Sequence, residues 1–224
     1  DLFKRGSVGE VMAIGLCLIS LYAIEAKRRW LIAPAVGLLA ISHNTLALFF
    51  IPVLLGYIVI KKYWGVVSSF VIGVGSSAFF WLPAFFDRHT VLFDTVAVSD
   101  PTQYFAASRV LLLQGLPFLI AALISVFIGE KMKSHHKERL YFFVILFGST
   151  ILASPVSRFL WQNPSFARFI QFPYRLLAFW CFTGPWFIAS LAGPKKKSQS
   201  VLLAVIAVVV LFIFSLQYHK SESI

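Results

Sequence analysis

The sequence predicts an all-α fold: a polytopic transmembrane helical bundle of about eight membrane helices, including one short helical hairpin. Three observations predict it. Hydrophobic residues make up 59% of the chain and charged residues 13%, with a mean hydropathy of +0.83, whereas soluble domains carry roughly 25% charge. Apolar runs long enough to cross a bilayer are separated by short polar connections. The basic residues gather in alternate connections: Lys27-Arg28-Arg29, Lys61-Lys62, Lys131 to Arg139 and Lys195-Lys196-Lys197. Dense Lys and Arg mark the cytoplasmic side of a membrane protein. In this topology 12 of the 20 Lys and Arg lie inside.

The elements follow in order. A first span covers 9–24 and ends at Lys27-Arg28-Arg29. The stretch 30–60 has basic residues at both ends, so it crosses an even number of times. Its one polar interruption is Ser42-His43-Asn44, which predicts a short helix over 30–41, an outer bend and a return helix over 45–60. Pro34 and Pro52 sit near helix starts or kink these helices. The next span, 64–82, contains Gly73, Gly75 and Ser76-Ser77, small residues that let helices approach closely. Pro83 is expected to end it. An outer loop over 84–108 carries Asp87, Arg88, His89, Asp94 and Asp100, and its length suggests function rather than connection. Spans over 110–128 and 140–153 flank the basic connection 130–139. A second outer segment, 154–173, is rich in aromatic residues and arginine, and spans over 176–192 and 201–218 complete the chain.

The whole is read as a single transmembrane domain over 1–224, with both termini outside. Because the chain starts at Asp1 rather than Met, it is expected to be a segment of a longer membrane protein. The apolar stretch 11–24 is not a cleaved signal peptide, since Glu25-Ala26-Lys27-Arg28-Arg29-Trp30 follows it in place of a small-residue cleavage site. Cys17 and Cys181 both lie inside spans and predict no structural disulfide. The net charge of +11 does not imply a nucleic-acid partner. Each basic cluster is short and abuts an apolar run, and charge that sets topology accounts for it.

Ionisable groups near lipid mark working sites, and several converge on the outer boundary. Glu10 lies about one turn into the first span and needs a partner if buried; Arg5 is its nearest basic neighbour in sequence. An acid in a first helical turn is also favoured by the helix dipole alone. His43, at the tip of the hairpin, is either a wetted turn or a base, metal ligand or phosphate partner. It has no second ligand at metal-site spacing. Asp87 closes the aromatic segment Phe80-Trp81-Leu82-Pro83-Ala84-Phe85-Phe86 as an interfacial ion pair with Arg88, and Asp87, Asp94 and Asp100 form no paired-acid motif for a metal-bound nucleotide. Glu10, His43 and Asp87 are therefore the candidate catalytic groups, with no metal or cofactor site indicated. The strongest local signal is Phe169-Ile170-Gln171-Phe172-Pro173-Tyr174-Arg175, preceded by Arg168. Pro173 sets a turn or a first helical residue. Arg168 and Arg175 are placed to meet phosphate, which guanidinium binds in bidentate fashion, and Arg109 and Arg158 fall on the same side. The plain alternative is that these arginines snorkel to ordinary lipid headgroups.

Taken in order, Arg5-Gly6 with Gly9-Glu10, Ser42-His43-Asn44, Phe80-Trp81-Leu82-Pro83-Ala84 and Phe172-Pro173-Tyr174-Arg175 resemble bacterial polytopic membrane proteins described as 6-pyruvoyl-tetrahydropterin synthase-related. These are similar to the glycosyltransferase C superfamily of lipid-linked sugar transferases. The resemblance spans most of the chain and implies a protein of the bacterial cytoplasmic membrane. It also implies an outer-face cavity for a polyprenyl-phosphate-linked sugar, with Arg168 or Arg175 near the phosphate. Superfamily members carry a catalytic acid on the first outer loop, which would precede this segment, so no catalytic acid is carried over.

Three functions compete. A transferase needs a base for the acceptor hydroxyl and cations for the departing phosphate. An envelope-lipid transporter or flippase is expected to show paired repeats, broken helices and mid-membrane charge; Ser42-His43-Asn44 fits such a break, but no repeat and no mid-membrane charge is visible. A non-catalytic scaffold that binds membrane lipids or partner helices would need its arginines for stability alone.

Overall fold

The computed structural model describes residues 7–86, 100–132, 135–163 and 170–191. The described residues are helical and contain no strand. Three helical stretches, Val8–Glu25, Asn44–Lys61 and Pro101–Phe127, are long and apolar enough to cross a membrane. They become four if the pair His136–Leu152 and Pro155–Trp161 is one broken span. Large apolar side chains such as Met12, Ile19, Leu48, Leu55 and Val144 are exposed on these helices. That surface is ill-suited to water and matched to hydrocarbon, as in an integral membrane protein. The expected last span, 201–218, lies outside the described residues. The chain divides into two compact units, residues 1–101 with 160–175 and residues 102–159 with 176–224.

The first unit is built on α1 (Val8–Glu25), α2 (Arg29–Ser42), α3 (Asn44–Lys61), α4 (Val67–Ser76) and α5 (Ala78–Phe86). The expected break at Ser42-His43-Asn44 is present. His43 is extended (φ −161°, ψ 113°), and α2 and α3 start and stop on either side of it. The other end of α1 and α3 is closed by a second set of contacts. Tyr57 Oη donates to Glu25 Oε2 at 2.7 Å, and Lys61 Nζ lies 3.2 Å from Glu25 Oε1. α1 and α3 therefore run parallel, and the turns bearing Lys27-Arg28-Arg29 and Lys61-Lys62 share one end of this unit.

α2 packs against α4 through glycine. A Cβ on Gly73 would stand 2.6 Å from the Ala33 carbonyl oxygen and 3.0 Å from Val36 Cβ. Gly75, one of the other small residues in this span, faces open space. The expected end of the span at Pro83 is corrected. α4 stops at Ser76, and α5 carries Pro83 within it to Phe86. The break has a local cause: Ser76 Oγ donates to the Gly73 carbonyl, while Ser77 Oγ and Trp81 Nε1 both donate to that of Val74. Side chains thus take carbonyls that the next helical turn would otherwise use.

The second unit contains α6 (Leu116–Met132), α7 (His136–Leu152) and α9 (Trp180–Leu191). The short helix α8 (Arg158–Trp161) lies where the chain passes from one unit to the other. A π-helical turn, Leu111–Gly115, leads into α6. Gly115 meets the Trp180 ring and Gly184 meets the Phe118 ring, each so closely that a Cβ would fall within 3 Å. Ser125 Oγ and Ser190 Oγ are 2.6 Å apart. These pairings make α6 and α9 parallel. α7 runs the other way, joined by Trp180 Nε1 to Thr150 Oγ1 at 3.0 Å near one end and Arg139 Nη1 to the Ser125 carbonyl at 2.8 Å near the other.

Arg139 corrects the sequence reading. The basic run from Lys131 to Arg139 was expected to be a polar connection, but α7 begins at His136 and Arg139 is buried in its first turn. Its Nη1 donates to the Ser125 carbonyl of α6, and its buried Nε has no hydrogen-bond partner among the described residues.

Candidate functional site

One polar cluster in the first unit gathers residues from three separated motifs. It sits at the end of α1 away from the basic turns, about 22 Å from Glu25 along the helix at 1.5 Å per residue. Its centre is Glu10, whose Oε1 accepts from Arg175 Nε at 3.0 Å. The two side chains are 10% and 17% exposed. His43 Nε2 lies 3.6 Å from the same carboxylate oxygen, beyond hydrogen-bond length but within strong electrostatic reach.

Each residue has a local reason to be there. Gly9 lets the start of α1 close onto the corner between α2 and α3, because a Cβ at that position would be 2.5 Å from the Ser42 carbonyl oxygen. His43 is the N-cap of α3, and its Nδ1 accepts the Leu46 backbone N–H at 3.2 Å. An imidazole in that geometry has its lone pair on Nδ1, so neutral His43 carries its proton on Nε2, the nitrogen facing Glu10. Arg175 belongs to a 3₁₀ segment, Pro173–Phe179, opened by Pro173 as expected for a first helical residue. Gln171, just before it, has φ 57°, a left-handed turn that redirects the chain. The Arg175 guanidinium carbon lies 4.5 Å over the centre of the Phe172 ring, a cation–π contact.

The guanidinium is therefore held through its Nε by Glu10 and over the ring of Phe172. Its Nη groups make no hydrogen bond to another described residue. A planar fork fixed in this way presents its outer edge to an oxyanion. Glu10 has a described partner in Arg175 rather than only the helix dipole; Arg5, its nearest basic neighbour in sequence, lies outside the described residues.

The other sequence candidates distribute differently. Arg168 and Asp87 lie outside the described residues. Arg109 and Arg158 are exposed in the second unit. The Ala106 N–H donates to the Ala153 carbonyl at 2.9 Å, which brings the segment before Arg109 to the end of α7 that precedes Arg158. Among the described residues no three His, Cys, Asp or Glu side chains come together as a metal site. Comparison with protein-family models, curated proteins and solved structures gives no match.

The cap and the contact with Glu10 are separable roles of His43. His43→Ala is expected to lower stability by about 1 kcal/mol through loss of the cap. His43→Asn keeps a capping acceptor and should recover most of that loss, as read by thermal unfolding in detergent. Equal losses in the two variants would move the weight of His43 from the cap to Glu10.

Proposed function

We propose that this chain belongs to a membrane glycosyltransferase-like protein that takes a polyprenyl-phosphate-linked sugar at the extracytoplasmic face. Arg175 receives the donor phosphate on the guanidinium edge that Glu10 leaves open. The observation that carries this reading is the Glu10–Arg175 pair, a partly buried cation aimed by a carboxylate and lying over the Phe172 ring. It lies at the end of α1 opposite the basic turns. With those turns in the cytoplasm, the cluster falls on the outer side of a bacterial cytoplasmic membrane, both termini of the segment are outside and the apolar runs make about eight crossings.

In this reading the cation offsets charge that develops on the phosphate as the sugar leaves. Glu10 positions the cation. His43 Nε2, 3.6 Å from the Glu10 carboxylate, adds to the polar surroundings of Glu10 and does not take a proton from the acceptor. Arg168, Arg109 and Arg158 are further candidates for the donor phosphate, and Asp87 for the acceptor base.

The test is sugar release from a radiolabelled polyprenyl-phosphate sugar in membranes containing the protein. Arg175→Gln is expected to lower turnover by a hundredfold or more, in line with the loss of one charged transition-state contact (about 10² to 10³). Arg175→Lys, which keeps charge and loses the fork, should retain part of it. The Glu10→Gln/Arg175→Gln double variant, freed of an unpaired buried charge, should fold but remain inactive. Unchanged release in Arg175→Gln would overturn the assignment. Exchange of the lipid across vesicles without release would turn it into a transporter.

A further inference from the structure

The opposite end of the first unit carries a different surface. The turn after α1 and the turn after α3 lie side by side, since Lys27 Nζ sits 4.5 Å over the Tyr63 ring. Arg29 Nη2 also lies 2.7 Å from where a Cβ on Gly65 would stand. Lys61 is neutralised there by Glu25, with its side chain 8% exposed. Lys27, Arg28, Arg29 and Lys62 are exposed and have no ion-pair partner among the described residues. Within two residues of each turn's cations stands a tryptophan with little cover: Trp30 is 70% and Trp64 is 62% exposed.

Two of these cations stand where the backbone favours another residue. Lys27 (φ 52°) and Lys62 (φ 54°) both close their helices in the left-handed conformation, which glycine adopts without steric cost and other residues do not. Lysine is thus held at both turns against local backbone preference.

We propose that this face is a binding surface for anionic phospholipid headgroups. Lys27, Arg28, Arg29 and Lys62 meet the headgroup phosphates, and Trp30 and Trp64 seat at headgroup depth. Exposed tryptophan favours the membrane–water boundary. Unpaired Lys and Arg at that depth attract anionic lipid with an affinity that rises steeply for each cation. The inference is independent of the Glu10–Arg175 cluster and of any transferase activity.

The experiment uses the intact protein in vesicles of equal parts phosphatidylglycerol and phosphatidylcholine, with brominated acyl chains on one lipid at a time, and reads quenching of tryptophan fluorescence. Brominated phosphatidylglycerol is expected to quench more than brominated phosphatidylcholine, and rising salt should erase the difference. The decisive variant is Lys27→Gly/Lys62→Gly, which relieves the backbone at both turns and so should unfold no more easily than the parent. Its preference for phosphatidylglycerol should fall by at least about fivefold, the factor expected for one cation at a charged surface. Equal quenching by the two lipids in the parent would overturn the proposal, as would an undiminished preference in the variant. Inorganic phosphate that abolishes the preference at matched ionic strength would assign the surface to free phosphate instead.

Discussion

Glu10→Gln is expected to lower the free energy of unfolding by on the order of 3 kcal/mol, because it leaves the Arg175 guanidinium mostly buried without its counter-charge. The side chains are 10% and 17% exposed, so water replaces little of what is lost. Arg175→Gln should cost a similar amount for the mirror-image reason. The double variant should lose less than the sum of the two, since neither charge is then stranded, and the coupling should fall in the range of about 0.5–3 kcal/mol typical of touching residues. Equilibrium unfolding in detergent of the parent, both single variants and the double variant gives that coupling directly. Additive losses would mean that Glu10 and Arg175 do not act as a pair, and the aimed guanidinium would go with them.

Gly73→Ala and Gly75→Ala should move stability in opposite directions although a single residue, Val74, separates them. At Gly73 a methyl group meets the Ala33 carbonyl oxygen at 2.6 Å and Val36 Cβ at 3.0 Å. These are backbone and stem atoms that cannot swing aside. α2 and α4 must separate, at a cost of about 1–3 kcal/mol. At Gly75 nothing lies within 4 Å, and alanine gains up to about 1 kcal/mol of helix propensity. Thermal unfolding of the two variants side by side tests the α2–α4 contact. Equal shifts would show that these helices do not meet through Gly73.

Much of this was legible in the chain. Composition and run length predicted helices exposed to hydrocarbon, and Ser42-His43-Asn44 marked the corner between α2 and α3, which the fold narrows to His43. The sorting of basic clusters placed Lys27-Arg28-Arg29 and Lys61-Lys62 together, as the contacts among Lys27, Tyr63, Arg29 and Gly65 show. Other readings did not carry over. Pro83 suggested a helix end, but serine and tryptophan side chains bonding to Gly73 and Val74 carbonyls end α4 first. Arg139 was expected in the basic connection 130–139. It is buried instead, because its long side chain carries the guanidinium to the Ser125 carbonyl.

The candidate site shows where sequence reasoning stops. A short polar residue at a helix tip, an acid in a first turn and an arginine after proline each declare themselves locally. No local rule joins Glu10 to a residue 165 positions later.

Hydropathy, charge placement and turn chemistry act over a few residues, and they determined the helical membrane class, the hairpin corner and the two kinds of helix end. Which helix faces which, and therefore that Gly73 is crowded while Gly75 is open, came only from packing. So did the choice of Arg175 as the partner of Glu10. A buried charge takes whatever opposite charge the fold brings within about 3 Å, and only the folded chain sets that distance.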